Sequence, residues 1–289
     1  MRKQYFAIAA SAALALTLTA CSGDGGGSGE AQTSPSSTVS HIHGVGIDPA
    51  DDQLYVATHE GVFTPGENNE PQRVGDSRDD YMGFTVAKAK TFLASGHPAP
   101  DAEGPANKGL VESTDAGKTW KTKSLSGEVD FHALEYADGT IYGYDSTNGK
   151  VRVSKDGVKW QDRATLSALD IAVNPDDTQV LLATTEAGVA KSTDGGKTFA
   201  DGAEPVLYFV SWGAPDTVYG IDGSGALHRS ADSGDTWKKL GTAPGGQPQA
   251  LTAVDAERVL VATQDGVYES KNGGKTFTKR MDVTSTGGH

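Results

Sequence analysis

The chain has a single cysteine in 289 residues, Cys21. No disulfide can therefore form within it, and no structural zinc site of the multi-cysteine kind can be built. Its folded part must be held by a core. Positive charge is also short: 25 Lys and Arg face 38 Asp and Glu, a net −13. That balance argues against nucleic acid as a partner and against docking on anionic lipid through a basic patch, while leaving cations admissible as ligands. After residue 40 no stretch sustains a helical period. Short apolar runs bounded by Gly, Asp and Asn recur instead, and the 37 glycines suit a chain of many turns. An all-β domain is expected.

The ends read differently from the middle. Arg2 and Lys3 precede an apolar stretch from Phe6 to Ala20 that is too short and too rich in Ala and Thr for a stable spanning helix. Leu18-Thr19-Ala20-Cys21 resembles the lipobox of bacterial lipoproteins. The resemblance implies a signal peptide over 1–20, cleaved before Cys21, and palmitate-type acyl chains on that cysteine. The chain would then be extracytoplasmic and attached to the cell membrane only by its lipid anchor. An ordinary secretory signal with a chance cysteine is the alternative. Residues 21–40 (CSGDGGGSGEAQTSPSSTVS) hold almost no large apolar side chain and read as a flexible linker. The folded domain is expected over 41–283, with 284–289 as a tail.

Within that domain the main signal is repetition. Five segments, STDAGKTW (113–120), SKDGVKW (154–160), STDGGKTF (192–199), SADSGDTW (230–237) and SKNGGKTF (270–277), begin 38 to 41 residues apart. They resemble the Asp-box, or BNR repeat, with the pattern S-x-D-x-G-x-T-W. The matching residues are Ser113, Asp115, Gly117 and Trp120; Ser154, Asp156 and Trp160; Ser192, Asp194, Gly196 and Phe199; Ser230, Asp232, Gly234 and Trp237; and Ser270, Asn272, Gly274 and Phe277. The second copy is one residue short, and the fifth has Asn in place of Asp. Asp and Ser side chains can bond the backbone of a tight turn, glycine permits positive φ, and the aromatic residue opens the next strand. These roles are structural.

Each copy belongs to a unit of about 40 residues with four apolar runs, the size of a propeller blade. A unit without the motif precedes the first. The expectation is a six-bladed β-propeller with four-stranded blades starting near residues 42, 80, 129, 167, 206 and 248, and an insertion at 97–109. Residues 37–40 are expected as an outer strand clasping the last blade, and a monomer is expected.

In such a blade the first strand starts, and the second ends, on one face. His41, His43, His59, His97 and His132 all fall there. Aligning first strands by apolar alternation places His43, Met82, His132, Leu169, Tyr208 and Ala250 around the channel. Aligning second strands places His59, His97, Asp145, Thr185, Asp222 and Gln264 on the rim. His43, His59, His97 and His132, supported by Met82 and His41, are candidate metal ligands. Imidazole suits copper and zinc, and a thioether adds preference for copper. Glu60, Asp130 and Asp145 are candidates to orient the imidazoles. A small organic ligand or a loop of a membrane or surface protein fits the same residues.

The Asp-box run resembles the sialidase-like BNR propeller superfamily. HIHGVGIDP, YVATHEG, DDYMGF, SGHP and DFHALE are similar to secreted bacterial proteins labelled glycosyl hydrolases. Sialidase chemistry would imply a clamp of three arginines on the histidine-bearing face and an F/Y-R-I-P motif, and neither the clamp nor the motif is visible, so no catalytic residue is assigned. A glycosidase with paired carboxylates could draw on Glu60, Asp79, Asp80, Asp130, Glu135, Asp145 and Glu186. The blades also look like those of protein-binding assembly factors, which implies a scaffold as a further alternative.

Overall fold

A computed structural model describes residues 39–283. The signal sequence, Cys21, most of the linker and the 284–289 tail lie outside the described residues. Those described form six consecutive antiparallel sheets, the blades of an all-β propeller.

Blade one holds β1 (Ile42–Asp48), β2 (Gln53–Thr58), β3 (Gly61–Pro65) and β4 (Pro71–Arg73). Blade two holds β5 (Asp80–Lys88), β6 (Thr91–His97), β7 (Leu110–Ser113) and β8 (Lys121–Ser124). Blade three holds β9 (Phe131–Ala137), β10 (Thr140–Asp145), β11 (Lys150–Ser154) and β12 (Gln161–Thr165). Blade four holds β13 (Ile171–Val173), β14 (Leu181–Thr185) and β15 (Gly188–Ser192). Its outer strand is reduced to a segment held to β15 by the Val189↔Ala203 bridge. Blade five holds β16 (Phe209–Ala214), β17 (Thr217–Ile221), β18 (Ala226–Ser230) and β19 (Lys238–Thr242). Blade six holds β20 (Pro248–Ala253), β21 (Val259–Thr263), β22 (Gly266–Ser270) and β23 (Thr278–Asp282).

A lone blade would leave apolar side chains on both faces. Six apolar clusters bury them, each spanning one seam between neighbouring blades. At the seam of blades two and three, Leu93 and Leu110 pack against Phe131, Leu134 and Ile141. Near the axis the backbones approach closely. A Cβ on Gly83 of β5 would stand 2.4 Å from the carbonyl oxygen of Phe131, so only glycine lets these two blades meet there.

The five repeated turns join third and fourth strands, on the face opposite the histidines, and share one hydrogen-bond pattern. In the third copy the Ser192 hydroxyl accepts from Gly196 N (2.9 Å) and donates to Asp194 Oδ1 (2.9 Å), and Asp194 accepts from the backbone and hydroxyl of Thr198. Those threonine bonds hold the Asp194 carboxyl down at about 2. In the fifth copy Asn272 keeps the geometry by reversing one bond: its amide donates to Thr276 Oγ1 at 2.8 Å.

Among the described residues the ring closes without exchanging a strand. All four strands of blade six are consecutive, and Val39 and Ser40 form no strand. Among the described residues this corrects the expected clasp. Closure rests on side chains instead. Val39, Ile42 and Phe63 pack with Leu260, Met281 and Val283, and Thr252 Oγ1 donates to Val45 O at 2.7 Å. Arg258 of blade six reaches Asp52 of blade one while also binding the buried Glu269. Among the described residues no helix is long and apolar enough to cross a membrane.

Candidate functional site

A β-bulge recurs at the histidine-bearing end of the first strands. The register slips by one residue between Ile42 and Gly44, Tyr81 and Gly83, Phe131 and Ala133, and Pro248 and Ala250. The residues left over are His43, Met82, His132 and Gln249. A bulge re-aims the side chain it isolates, and here it turns His43 and His132 onto the channel wall and Gln249 onto His41. In blade four, Leu169 N bonds Thr184 O while Ile171 pairs with Ala183, which leaves Asp170 in the corresponding place. This shifts part of the expected ring. In register Asp170 and Gln249 match His43, but the expected Leu169 and Ala250 still line the channel, and Tyr208 is 39% exposed.

Three side chains from two blades converge at this mouth. His59 Nδ1 lies 2.9 Å from Asp80 Oδ2 and 3.3 Å from His43 Nε2, and His43 Nε2 lies 3.6 Å from Asp80 Oδ1. One donor atom from each falls within 4.8 Å of the others, so the group could hold a metal ion. Asp80 Oδ1 is buried and has no hydrogen-bond partner, a costly state for a carboxylate oxygen unless a cation visits it. His41 leans over the pair, its ring centroid 4.7 Å from His43 and 5.5 Å from His59. Gln249 fixes His41 by a 3.2 Å contact to Nδ1 while accepting from Ile42 N. Burial, then the neighbouring charges of His59 and His41, drives His43 down to about 3. Burial followed by His59 also lowers His41. The bond to Asp80 raises His59 above its ordinary value. Burial opposes ionisation of Asp80, but its bond to His59 outweighs this together with the nearby imidazoles, and the carboxyl sits below the ordinary range.

A second group adjoins the first across the β5–β6 pair, where Asp80 faces His97. Asp130 Oδ2 takes His132 Nε2 at 2.7 Å and His97 Nε2 at 3.5 Å. Its other oxygen, Oδ1, is buried without a partner. His97 Nδ1 is tied to the Ala106 carbonyl of the insertion at 2.9 Å. Met82 is half-buried at its bulge. Asp130 thus contacts two imidazoles, and the other two expected orienting carboxylates do not. Glu60 accepts from the backbone and hydroxyl of Ser40. Asp145 is buried and binds Arg152 Nε at 2.8 Å and Asn148 Nδ2 at 2.8 Å. The register explains this: Asp145 pairs with Phe131 as Thr58 pairs with Ile42, so the position matching His59 is Ser146. Ser146 duly donates to the Asp130 carbonyl at 3.1 Å. His228 lies apart, 3.2 Å from Asp222, and His289 is outside the described residues.

Two spaces flank the groups. The central channel is a cavity of about 370 Å³ lined by His43, His132, Glu135, Asp170, Phe209 and Thr252, among others. Burial, and then the charge of Asp170, pushes Glu135 up to about 8. Burial pushes Asp170 up to about 7, although Ile171 N and Val210 N both donate to it. The second space is an outer cleft of about 590 Å³ between blades one and two, reached by His59, Asp80 and His97 and containing Arg73 and Arg78. Asp80, expected only among possible glycosidase carboxylates, is here a candidate ligand, and Gln249 and Asp170 were not expected at all. Asp80 opens β5, beside His97, a placement the chain direction could have revealed.

No protein-family model matches the chain, and no curated protein matches it. Solved structures do. A GH74 enzyme from Niastella koreensis superposes with a TM-score of 0.60 at 16% identity, over 86% of this chain and 46% of the enzyme. The chain therefore spans less than half the length of that enzyme. A gluconolactonase from Xanthomonas campestris gives 0.63 at 14% identity, over 78% of this chain and 84% of the other. YCF48 bound to a D1 peptide gives 0.53 at 16% identity, over 84% and 81%. At such identities the likeness is one of fold.

Proposed function

We propose that this chain is a membrane-anchored extracytoplasmic binding protein whose propeller holds one copper or zinc ion at its histidine-bearing mouth. His43, His59 and Asp80 are the ligands. His41, His97, His132 and Met82 stand ready as further donors, and Asp130 orients His97 and His132. The reading rests on one observation: two imidazole nitrogens and a carboxylate meet within 4.8 Å around a buried oxygen that lacks a donor. Two imidazoles and a carboxylate suit zinc or copper(II), with a position left for water or ligand. A His43 that stays neutral near pH 7 offers its lone pair without first losing a proton. The five matching turns support an Asp-box propeller of the sialidase-like kind. The lipobox-like segment supports acylation at Cys21.

The test uses the full chain carrying Cys21→Ser, so that no thiol competes for metal. Stripped with chelator and reloaded, it should retain about one Cu or Zn per chain by elemental analysis. The His43→Ala/His59→Ala pair should retain none while keeping its circular dichroism. Uptake that persists in the pair would remove the assignment. Labelled palmitate should enter the native chain and not the Cys21→Ser variant.

A hydrolase is the second reading. It is favoured by Glu135, a carboxyl held protonated near pH 7 at the channel wall, as a general acid must be. The GH74 and gluconolactonase likenesses accord with it. Turnover of fluorogenic glycosides or lactones that vanishes in Glu135→Gln would establish it; no turnover by the native chain would dismiss it.

A further inference from the structure

The outer cleft holds a feature that metal binding does not use. Arg73 and Arg78 line it together, and no carboxylate among the described residues pairs with either guanidinium. Acidic residues outnumber basic ones 38 to 25 in this chain, so carboxylate partners are not scarce. Two guanidiniums sharing a cleft repel each other. Burial lowers the proton affinity of Arg73 and the charge of Arg78 lowers it further, against a smaller opposing pull from Glu60.

Arg73 is also held in place. Its guanidinium lies 4.7 Å over the Phe63 ring, and Nη1 approaches the Ser77 carbonyl at 3.5 Å. Gly61 makes room for it, since a Cβ there would come within 2.9 Å of Nη1. A fork fixed in this way loses little freedom on binding and matches the two oxygens of a delocalised anion. The carboxylates in the same cleft are engaged or peripheral. Glu60 is occupied by Ser40, Asp80 by His59, and Asp101 is exposed at the lip.

We propose that this cleft is an oxyanion subsite, in which Arg73 and Arg78 grip a carboxylate or phosphate group beside His59. It differs from a three-arginine sugar clamp in having two arginines and in lying outside the channel. The subsite stands apart from the metal reading, because the arginines need no ion to act.

Calorimetry on the chelator-stripped, dialysed full chain tests it, with succinate and inorganic phosphate titrated separately at low ionic strength. At least one should bind saturably at one per chain, and the tighter of the two identifies the source of the oxyanion. Arg78→Gln should weaken binding at least tenfold, and adding Arg73→Gln should abolish it. Arg78 is exposed, so its single variant keeps the fold and the test decisive even if loss of the Phe63 stack harms the double variant. His43→Ala/His59→Ala should still bind the anion, and Arg78→Gln should still take up metal, so the two proposals fail separately. No binding of either anion at millimolar concentration, or binding unchanged in Arg78→Gln, overturns the subsite.

Discussion

Glu135 should make the propeller lose stability as solution turns alkaline, and Glu135→Gln should remove much of that loss. The carboxyl faces the channel, accepts no hydrogen bond from the described residues, and holds its proton up to about 8. In the unfolded chain it ionises near pH 4.5. Between those values the unfolded state has released a proton that the folded state keeps, so stability falls as pH rises and levels off above about 8. Measurement from pH 6.5 upward avoids His43, whose depressed value acts only below that point. The interval from 6.5 to 8 is worth at most roughly 2 kcal/mol at ~1.4 kcal/mol per pK unit. Channel water screens part of this, leaving about 1–2 kcal/mol, or a melting shift of about 3–6 °C for a domain of this size. Melting curves at pH 6.5, 7.5 and 8.5 would measure it. Asp170 and His59 tilt both proteins alike, so the difference in slope isolates Glu135. Equal slopes in native chain and variant would refute the account of its environment.

Three further outcomes follow from the packing, each read by urea denaturation. Arg258→Ala strips the buried Glu269 of one of its two arginines and breaks the bridge to Asp52, and should cost about 2–4 kcal/mol. Gly83→Ala drives a methyl group against the Phe131 carbonyl and should cost about 2–3 kcal/mol, felt mainly at the seam of blades two and three. Ser192→Ala leaves the buried Gly196 N–H without an acceptor and should cost about 1–2 kcal/mol, with metal uptake unchanged because the turn lies on the far face.

The blade boundaries were legible because each turn motif carries its own hydrogen-bond logic and recurs at nearly fixed spacing. Strand direction alone told which face gathers the imidazoles, but not that His43 and His59 meet at Asp80 while His97 and His132 meet at Asp130. The one-residue bulge was not legible. Apolar alternation continues smoothly through LDIAVNP, yet the slip gives the position matching His43 to Asp170, with Leu169 beside it on the channel wall. The same offset aligned Asp145 with His59, when Ser146 holds that place and Asp145 turns to Arg152. Asp80 was visible only as one acid among many in loops. Its weight comes from a buried oxygen, which no sequence pattern records. Of the expected clasp only Val39 and Ser40 are described, and they form no strand, since the last blade has four strands of its own.

The route by which the chain enters the ring ties one seam to the rim of the site. Val39 sits in the seam and Ser40 bonds Glu60, one residue from His59, so the polypeptide joins the wheel at the same rim that bears the imidazoles. Drawing Val39 out of the seam would also part Ser40 from Glu60 and so loosen the backbone beside His59. Strain on the first described residues would therefore be felt at the imidazole rim before it reached the five serine turns of the far face.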